Sequence, residues 1–418
     1  MFLHTAGPWP ADHFEDADMK PVQIVQDVHW VGAVDWDCRN FHGYSISPRG
    51  TTYNAYLVKD EKTTLFDTVK AEYAGKLLCN IAHVVKPGDI DYIVVNHVEM
   101  DHSGALPEIV AKVRPEKIFC SPMGERALKL HFDVTGWPIQ VVKTGDTLSI
   151  GKRTLSFLET RMLHWPDSMA TYIAQDKILI ANDAFGQNIA TSERFADEVD
   201  RAELYRQMVR YYANIVLPFS PITVKVIEQI EAMKLSIDYL LPDHGVMFRG
   251  PDVAFAIDSY KAFAAQKPTK KAVVVYDTMW HSTEKMANAV ADGLMSQGLS
   301  VKIMNLHVFD HSDVMEEVLD AGAVVVGSPT HNNGMMPRVA DMLTYMKGLK
   351  PQNKIGGAFG SYGWSGEAVK AVAEALAAMG MEMPAEPLRS LYVPKHEELA
   401  KYVEMGRVIG QAVAAKVG

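Results

Sequence analysis

The sequence predicts an α/β protein of two parts, and three observations predict it. Up to about residue 260, apolar runs of strand length come in bunches, with helical segments between them. From Ala272 onward, strand-like and helix-like segments alternate one for one over roughly 150 residues, the rhythm of a doubly wound parallel sheet. Between these stretches lies Gln266-Lys267-Pro268-Thr269-Lys270-Lys271, a short polar segment with one proline, of the kind that separates domains. The expected domains are residues 1–266 and 271–418.

In chain order, residues 1–21 carry prolines and acidic residues without periodicity and are expected to form an irregular arm. Val22 to Val34, Tyr53 to Lys59 and Lys62 to Phe66 read as strands. Helical spacing follows at Glu72 to Val84, where Leu77, Leu78, Ile81 and Val85 share one face. Thr147 to Ile150 with Arg153 to Glu159, and Met169 to Ile173 with Lys177 to Asn182, read as hairpins, and Arg201 to Leu235 is rich in helix. Beyond the linker the predicted strands are Ala272 to Tyr276, Val301 to Met304, Ala323 to Gly327 and Ile355 to Phe359. The helices between them are Glu284 to Gln297, Asp313 to Asp320, Pro337 to Met346 and Glu367 to Met379, with a last one from about Glu397.

Composition narrows the function. The chain has 418 residues, 48% hydrophobic and 22% charged, as a soluble globular protein with a large core would have. Net charge is −10, and acidic residues outnumber basic ones in both halves, which argues against nucleic acid as a partner. Three cysteines, Cys38, Cys79 and Cys120, with no C-x-x-C, exclude a disulfide framework and suggest a reducing compartment. No signal pattern and no membrane-length apolar run is present, so a cytoplasmic location is expected.

The first chemical signal is Asn96-His97-Val98-Glu99-Met100-Asp101-His102, which follows the buried-strand pattern Tyr92-Ile93-Val94-Val95. A helix is expected to open at Ser103-Gly104. Four metal-ligating groups thus sit on a loop at a strand's C-terminal end, a density suited to one or two transition ions. A polar loop with a capping Asp and solvated histidines is the plain alternative. The pattern recurs, however: His164 closes Leu155 to Leu163, Asp183 closes Ile178 to Asn182, and His244 follows Tyr239 to Asp243. Strand ends on one edge of a sheet converge, so these groups are expected to meet. The remaining histidines, His29, His83 and His131 among them, are expected to be structural, and the cysteines to be packing residues.

The second signal is a set of three loops at the same edge of the C-terminal sheet, where doubly wound folds bind ligands. Thr278-Met279-Trp280-His281-Ser282-Thr283 runs into a helix, whose first amides and hydroxyls suit a phosphate. Ser328-Pro329-Thr330-His331-Asn332-Asn333-Gly334 is the second loop. Ser361-Tyr362-Gly363-Trp364-Ser365-Gly366 is the third, with glycines for close backbone approach and an indole to stack on a flat ring. Neither G-x-G-x-x-G nor a Walker lysine is present, which disfavours dinucleotides and nucleoside triphosphates.

The order His97-x-Glu99-x-Asp101-His102 … His164 … Asp183 … His244 resembles the metallo-β-lactamase fold superfamily, with Glu99 where its zinc hydrolases carry His. The carboxylate-rich set suits non-haem iron better than zinc and is similar to that of the flavodiiron proteins. The C-terminal half resembles flavodoxin, although its first loop departs from T-x-T-G-N-T at Trp280 and His281. These resemblances imply an αββα sandwich followed by a flavodoxin-like domain, with FMN and two non-haem irons per chain. They imply a reductase of O2 to water, of NO to N2O, or of both. His97, Glu99 and His164 would hold one iron, Asp101 and His244 the other, and Asp183 would bridge. His102 either ligates or turns away, and Tyr212 would offer a proton or hydrogen bond near the substrate. Lacking C-x-x-C and a nicotinamide fingerprint, the chain would draw electrons from a separate rubredoxin-like carrier. Two domains side by side would hold their centres roughly 40 Å apart, so a head-to-tail homodimer, or a dimer of dimers, is expected to bring FMN of one chain to iron of another. The rival readings are a binuclear zinc hydrolase with an appended flavodoxin, and a non-catalytic gas or redox sensor.

Overall fold

The computed structural model describes residues 20–418, so the expected N-terminal arm lies outside the described residues except at its end. Packing divides the chain into two compact units. One comprises 20–38, Pro48–Leu204 and Glu228–Ile257; the other comprises Arg39–Ser47, Tyr205–Ile227 and Asp258–Gly418.

The first unit is an αββα sandwich. Its seven-stranded sheet runs Val22–Val25, Val28–Trp30, Tyr56–Val58, Thr64–Phe66, Tyr92–Val95, Lys117–Cys120, Ile139–Val141. The six-stranded sheet runs Thr147–Ser149, Thr154–Glu159, Met169–Ile173, Ile178–Ile180, Tyr239–Leu241, Phe248–Arg249. Trp30, Tyr56, Phe66, Val94 and Phe119 of one sheet meet Phe157, Met169, Ile173, Ile180 and Leu241 of the other in a single buried core. That double coverage explains why Tyr92–Val95 and Ile178–Ile180 read as continuous apolar runs rather than alternating ones.

One predicted strand is broken up. Val22 to Val34 splits into a hairpin turning at Asp27, whose φ is 65°, and a separate strand Ala33–Asp35 paired with Thr51–Tyr53. Aspartate tolerates the left-handed conformation better than most residues, and nothing in the apolar pattern marks that turn.

The second unit carries an all-parallel five-stranded sheet in the order Ser300–Asn305, Thr269–Tyr276, Ala321–Gly327, Ile355–Tyr362, Leu388–Leu391. The last strand escaped the sequence reading because it is a short edge strand containing Arg389 and Ser390 rather than an apolar run. On one face the helices Ser282–Met295 and His396–Val417 touch through glycine: a Cβ on Gly293 would lie 2.0 Å from the Val403 carbonyl oxygen, and one on Gly406 would lie 2.1 Å from that of Val290. Among the described residues, no helix is long and apolar enough to cross a membrane.

Candidate metal centre and cofactor cleft

The metal-ligating residues stand where strands end, and buried polar contacts aim them. Thr64–Phe66 runs into Asp67, in the left-handed region at φ 54°. Its carboxylate takes the Asn96 amide at 2.7 Å, the Asn96 side chain at 2.7 Å and the His97 amide at 3.3 Å. Burial pushes the Asp67 carboxyl up to about 6 against these donors. The loop after Tyr92–Val95 is thereby fixed before its ligands begin. Glu99 then precedes a helical turn, Met100–Ser103, that carries Asp101 and His102, a few residues earlier than the sequence suggested. Asn182, at φ 49°, holds the Met169 carbonyl through its side chain at 2.7 Å and turns the chain toward Asp183. Gly245 follows His244 with φ +79°, and a Cβ there would lie 1.8 Å from Gln187 Oε1.

The structure brings all seven residues together in two clusters. His97, Glu99, His164 and Asp183 form one, and Asp101, His102 and His244 form the other. Asp183 faces both. Its Oδ2 lies 3.0 Å from His164 Nε2 and 3.3 Å from His97 Nε2, while its Oδ1 lies 3.0 Å from His102 Nε2 and 3.3 Å from His244 Nε2. Glu99 Oε2 completes the first cluster at 3.2 Å from His97 Nε2 and 3.3 Å from His164 Nε2. Asp101 Oδ2 completes the second at 3.2 Å from His244 Nε2. Donors held about 2.1 Å from a common ion, at tetrahedral to octahedral angles, lie roughly 3.0–3.4 Å from one another. The clusters therefore have the spacing of two cation shells joined by one carboxylate.

The far ring nitrogens support this reading. His97 Nδ1 donates to Asp167 Oδ2 at 3.0 Å, and His244 Nδ1 donates to the Thr52 carbonyl at 2.6 Å. Both bonds leave an Nε2 lone pair directed into the cluster, as ligating histidines require. His102 Nδ1 is 3.7 Å from Asp243 Oδ2, so its orientation is held less closely. Burial alone would push His97 and His244 down, but Asp167, Asp183 and Glu99 around the first and Asp101 and Asp183 around the second raise both well above the ordinary imidazole range. Burial would likewise raise Asp183, yet His102, His164 and His244 hold it well below the usual carboxylate range. Protons occupy here the place that cations would take, and metal binding would release them.

Asp67, Asn96, Thr52 and Asp167 were missed as site residues because they act through ligands. Asp167 stands three residues after His164, but nothing in that spacing shows that it reaches His97 instead. Tyr212 is buried in the second unit, where its hydroxyl is 2.9 Å from Ser220 Oγ and its ring packs edge-on against Tyr260 at 5.1 Å.

In the second unit a cavity of about 470 Å³ opens beyond the carboxyl ends of the strands, a size common for cofactor sites. Thr278, Trp280, Ser282, Pro329, Thr330, His331, Asn332, Ser361, Tyr362, Gly363 and Trp364 line it, together with Met279, Tyr392 and Val393. The last two follow the edge strand that the sequence reading lacked. Trp280 and Trp364 are 86% and 87% exposed, so two indoles stand open at the mouth. Thr278 Oγ1 is buried without a hydrogen-bond partner beside the first turn of the helix Ser282–Met295. An orphaned hydroxyl next to free helix amides suits a phosphate group, and no lysine or arginine lines the cavity.

The other loop residues shape the cleft from outside. Thr283 Oγ1 is 3.4 Å from Ser361 Oγ, and Ser328 Oγ donates to the Pro329 carbonyl at 2.9 Å. Asn333 and Gly334 close a tight turn through the His331–Gly334 amide pair. The exposed His281 pairs with Glu284, and Gly366 precedes the helix Glu367–Ala378, next to Ser365.

The chain matches two family models: the ODP family beta lactamase over residues 51–245 and flavodoxin over residues 274–406. It is 55% identical to the rubredoxin-oxygen oxidoreductase of Megalodesulfovibrio gigas, over 96% of this chain and all of that one. It is 45% identical to a nitric oxide reductase of Moorella thermoacetica, over 94% of this chain and 99% of the relative. Among solved structures, the flavodiiron protein of Giardia intestinalis is 36% identical and superposes with a TM-score of 0.92, over 96% of this chain and 98% of that one.

Proposed function

The chain belongs to the flavodiiron proteins, and on that premise we propose that it passes electrons through FMN to a non-haem di-iron centre that reduces O2 to water, NO to N2O, or both. The observation that carries the reading is Asp183, whose two oxygens each face a different pair of histidines, in a chain that also holds a flavin-sized cleft. A hydrolytic zinc pair has no use for a flavin, and the relatives are named as reductases. Iron held there would supply the change of oxidation state that gas reduction needs, and FMN in the cleft would supply electrons singly or in pairs.

The residues divide the remaining work. His97, Glu99 and His164 would hold one iron, Asp101, His244 and His102 would hold the other, and Asp183 would bridge them. Asp167 and the Thr52 carbonyl keep His97 and His244 in the tautomer that ligates. Thr278, Ser282 and the helix amides would hold the FMN phosphate, and Trp364 would cover the ring. Electrons would come from a rubredoxin-type carrier, as the name of the Megalodesulfovibrio relative suggests. Two chains, or a dimer of dimers, arranged head to tail would bring one chain's flavin to the other's iron. Heterodimers of FMN-deficient and iron-deficient chains that regain gas reduction would support that arrangement; a fully active monomer would end it.

The deciding experiment measures iron and FMN per chain, then O2 and NO consumption with reduced rubredoxin as donor. About two irons, one FMN and turnover of either gas are expected. Asp183→Asn weakens the charge that holds two cations close, so it should lose iron and turnover while keeping FMN. Full iron occupancy and activity in that variant would overturn the bridging assignment.

A further inference from the structure

Behind His244 lies a chain of oxidisable side chains that gas reduction leaves unused. Tyr53 is fully buried, and its ring meets the His244 ring edge-on at 6.0 Å. Its hydroxyl donates to Asp35 Oδ2 at 2.8 Å. The ring of Tyr73 lies 5.4 Å from that of Tyr53 and is half-buried, and burial together with the nearby Asp35 carboxylate raises its hydroxyl above the usual phenol range. A ligand residue, a buried phenol, a shared carboxylate and a phenol with access to solvent thus follow one another in contact.

We propose that Tyr53 and Tyr73 form a relay that carries a stray oxidising equivalent from the metal centre to the surface, sparing the ligands. The proposal rests on the reading that the centre reduces O2. Complete reduction takes four electrons and four protons per O2, and a centre that meets O2 while short of reductant is left wanting an electron. Tyr53 supplies that electron and passes its hydroxyl proton to Asp35, becoming a neutral tyrosyl radical. Tyr73 then gives one electron to Tyr53, Asp35 returns the proton, and the proton of Tyr73 goes to Asp35 in turn. A thiol in solution restores Tyr73 by giving up one hydrogen atom and ends as half of a disulfide, while Asp35 releases the proton it took from Tyr73 to solvent, which supplies the proton that O2 reduction consumes. The net loss is one electron and one proton from the thiol, gained by the reduction of O2.

The shared carboxylate makes each phenol easier to oxidise, because it accepts the proton as the electron leaves. Lys70 acts in the opposite sense. Its ammonium lies 4.8 Å from the centroid of the Tyr53 ring and disfavours a positive hole there. That opposition would keep Tyr53 reduced during normal turnover and open the relay only to a strongly oxidising centre. Trp165, edge-on to His97 at 5.3 Å, and the buried Cys38 thiol beside Tyr53 are competing donors.

The test mixes iron- and FMN-loaded protein, reduced with fewer electrons than O2 needs to become water, with excess O2. Freeze-quench EPR on protein with ring-deuterated tyrosine assigns the radical, and peptide mass spectrometry locates oxidised side chains. A tyrosyl radical and oxidation at Tyr73 are expected in the native chain. Tyr53→Phe, which keeps the ring against His244, should abolish both and move damage to His164, His244 or Trp165, with several-fold fewer turnovers before inactivation. Tyr73→Phe should trap the radical on Tyr53, and Lys70→Met should raise its yield about twofold or more. If Tyr53→Phe fails to load iron, those last two variants decide. An O2-reducing native protein without a tyrosyl radical, or with the same radical in Tyr53→Phe, overturns the relay alone. Absence of O2 reduction under full reductant would instead overturn the reductase reading.

Discussion

Asp167 accepts the Nδ1–H of His97 at 3.0 Å, and the same oxygen accepts the Val98 amide at 2.7 Å. One carboxylate thus fixes both the tautomer of a candidate ligand and the backbone leading to the next, Glu99. The His97 bond also holds Asp167 itself below the usual carboxylate range despite its burial.

From this pair the first prediction follows. Asp167→Asn keeps the shape but removes the charge that orients His97, so iron affinity should fall about 10- to 100-fold. Anaerobic titration with ferrous iron measures it, with FMN content as the control that the second unit is intact. An unchanged affinity would mean that the Val98 backbone alone positions the loop.

Trp364 belongs to a glycine-flanked loop and stands 87% exposed at the mouth of the flavin cleft. Trp364→Ala should weaken FMN retention by roughly 1 kcal/mol, about fivefold in Kd, from lost stacking. The shift should also show in the flavin's reduction potentials. Unchanged affinity and potentials would reduce Trp364 to a surface residue.

Arg210 is buried in the second unit, where its guanidinium pairs with Glu316 at 2.7 Å and Asp313 at 2.8 Å and donates to the Ile46 carbonyl at 3.0 Å. It joins two early segments of the chain to the flavodoxin-like fold. Arg210→Ala strands the buried Glu316 carboxylate and should cost about 3 kcal/mol. Denaturant unfolding followed by flavin release would register it. A loss below about 1 kcal/mol would show that Arg206, also on Glu316 at 2.7 Å, compensates.

Lys354 is a pH-sensitive residue of the second unit. It is buried, donates to the Leu319 carbonyl at 2.9 Å, and burial pushes its ammonium down to about 7, against the pull of Asp320. Between pH 7 and the ordinary lysine value near 10.4, the unfolded chain binds a proton there that the folded chain does not. Stability from this group therefore rises with pH across that window, and the cost of the buried charge is fully present below pH 7. The slope should be about 1.4 kcal/mol per pH unit. Urea unfolding of the native chain and of Lys354→Met at pH 7, 8 and 9 should diverge in the native chain's favour as pH rises. Parallel curves would show that the lysine stays charged.

Much of this protein was determined by its sequence alone. The candidate ligand residues stood out in the sequence because they follow apolar runs, and strand periodicity together with turn residues is a local signal; the structure brings them together in two clusters. The cofactor loops were legible for the same reason, as was the change of rhythm near residue 270. What the sequence left open depends on angles between distant elements. That Asp183 turns one oxygen to each histidine pair, and that Asp167 reaches His97 rather than its neighbour His164, follows from how loops from both sheets of the first unit meet. Leu388–Leu391 forms a strand only because Ile355–Tyr362 offers it an edge, and with it come Tyr392 and Val393 at the cleft. The packing of Tyr212 against Ser220 and Tyr260 is likewise a matter of tertiary structure. Arg39–Ser47 and Tyr205–Ile227 pack with the flavodoxin-like fold through contacts such as Arg210 to Ile46. Local pattern fixes which groups lie at a strand's end; only tertiary packing decides which atoms of those groups face one another.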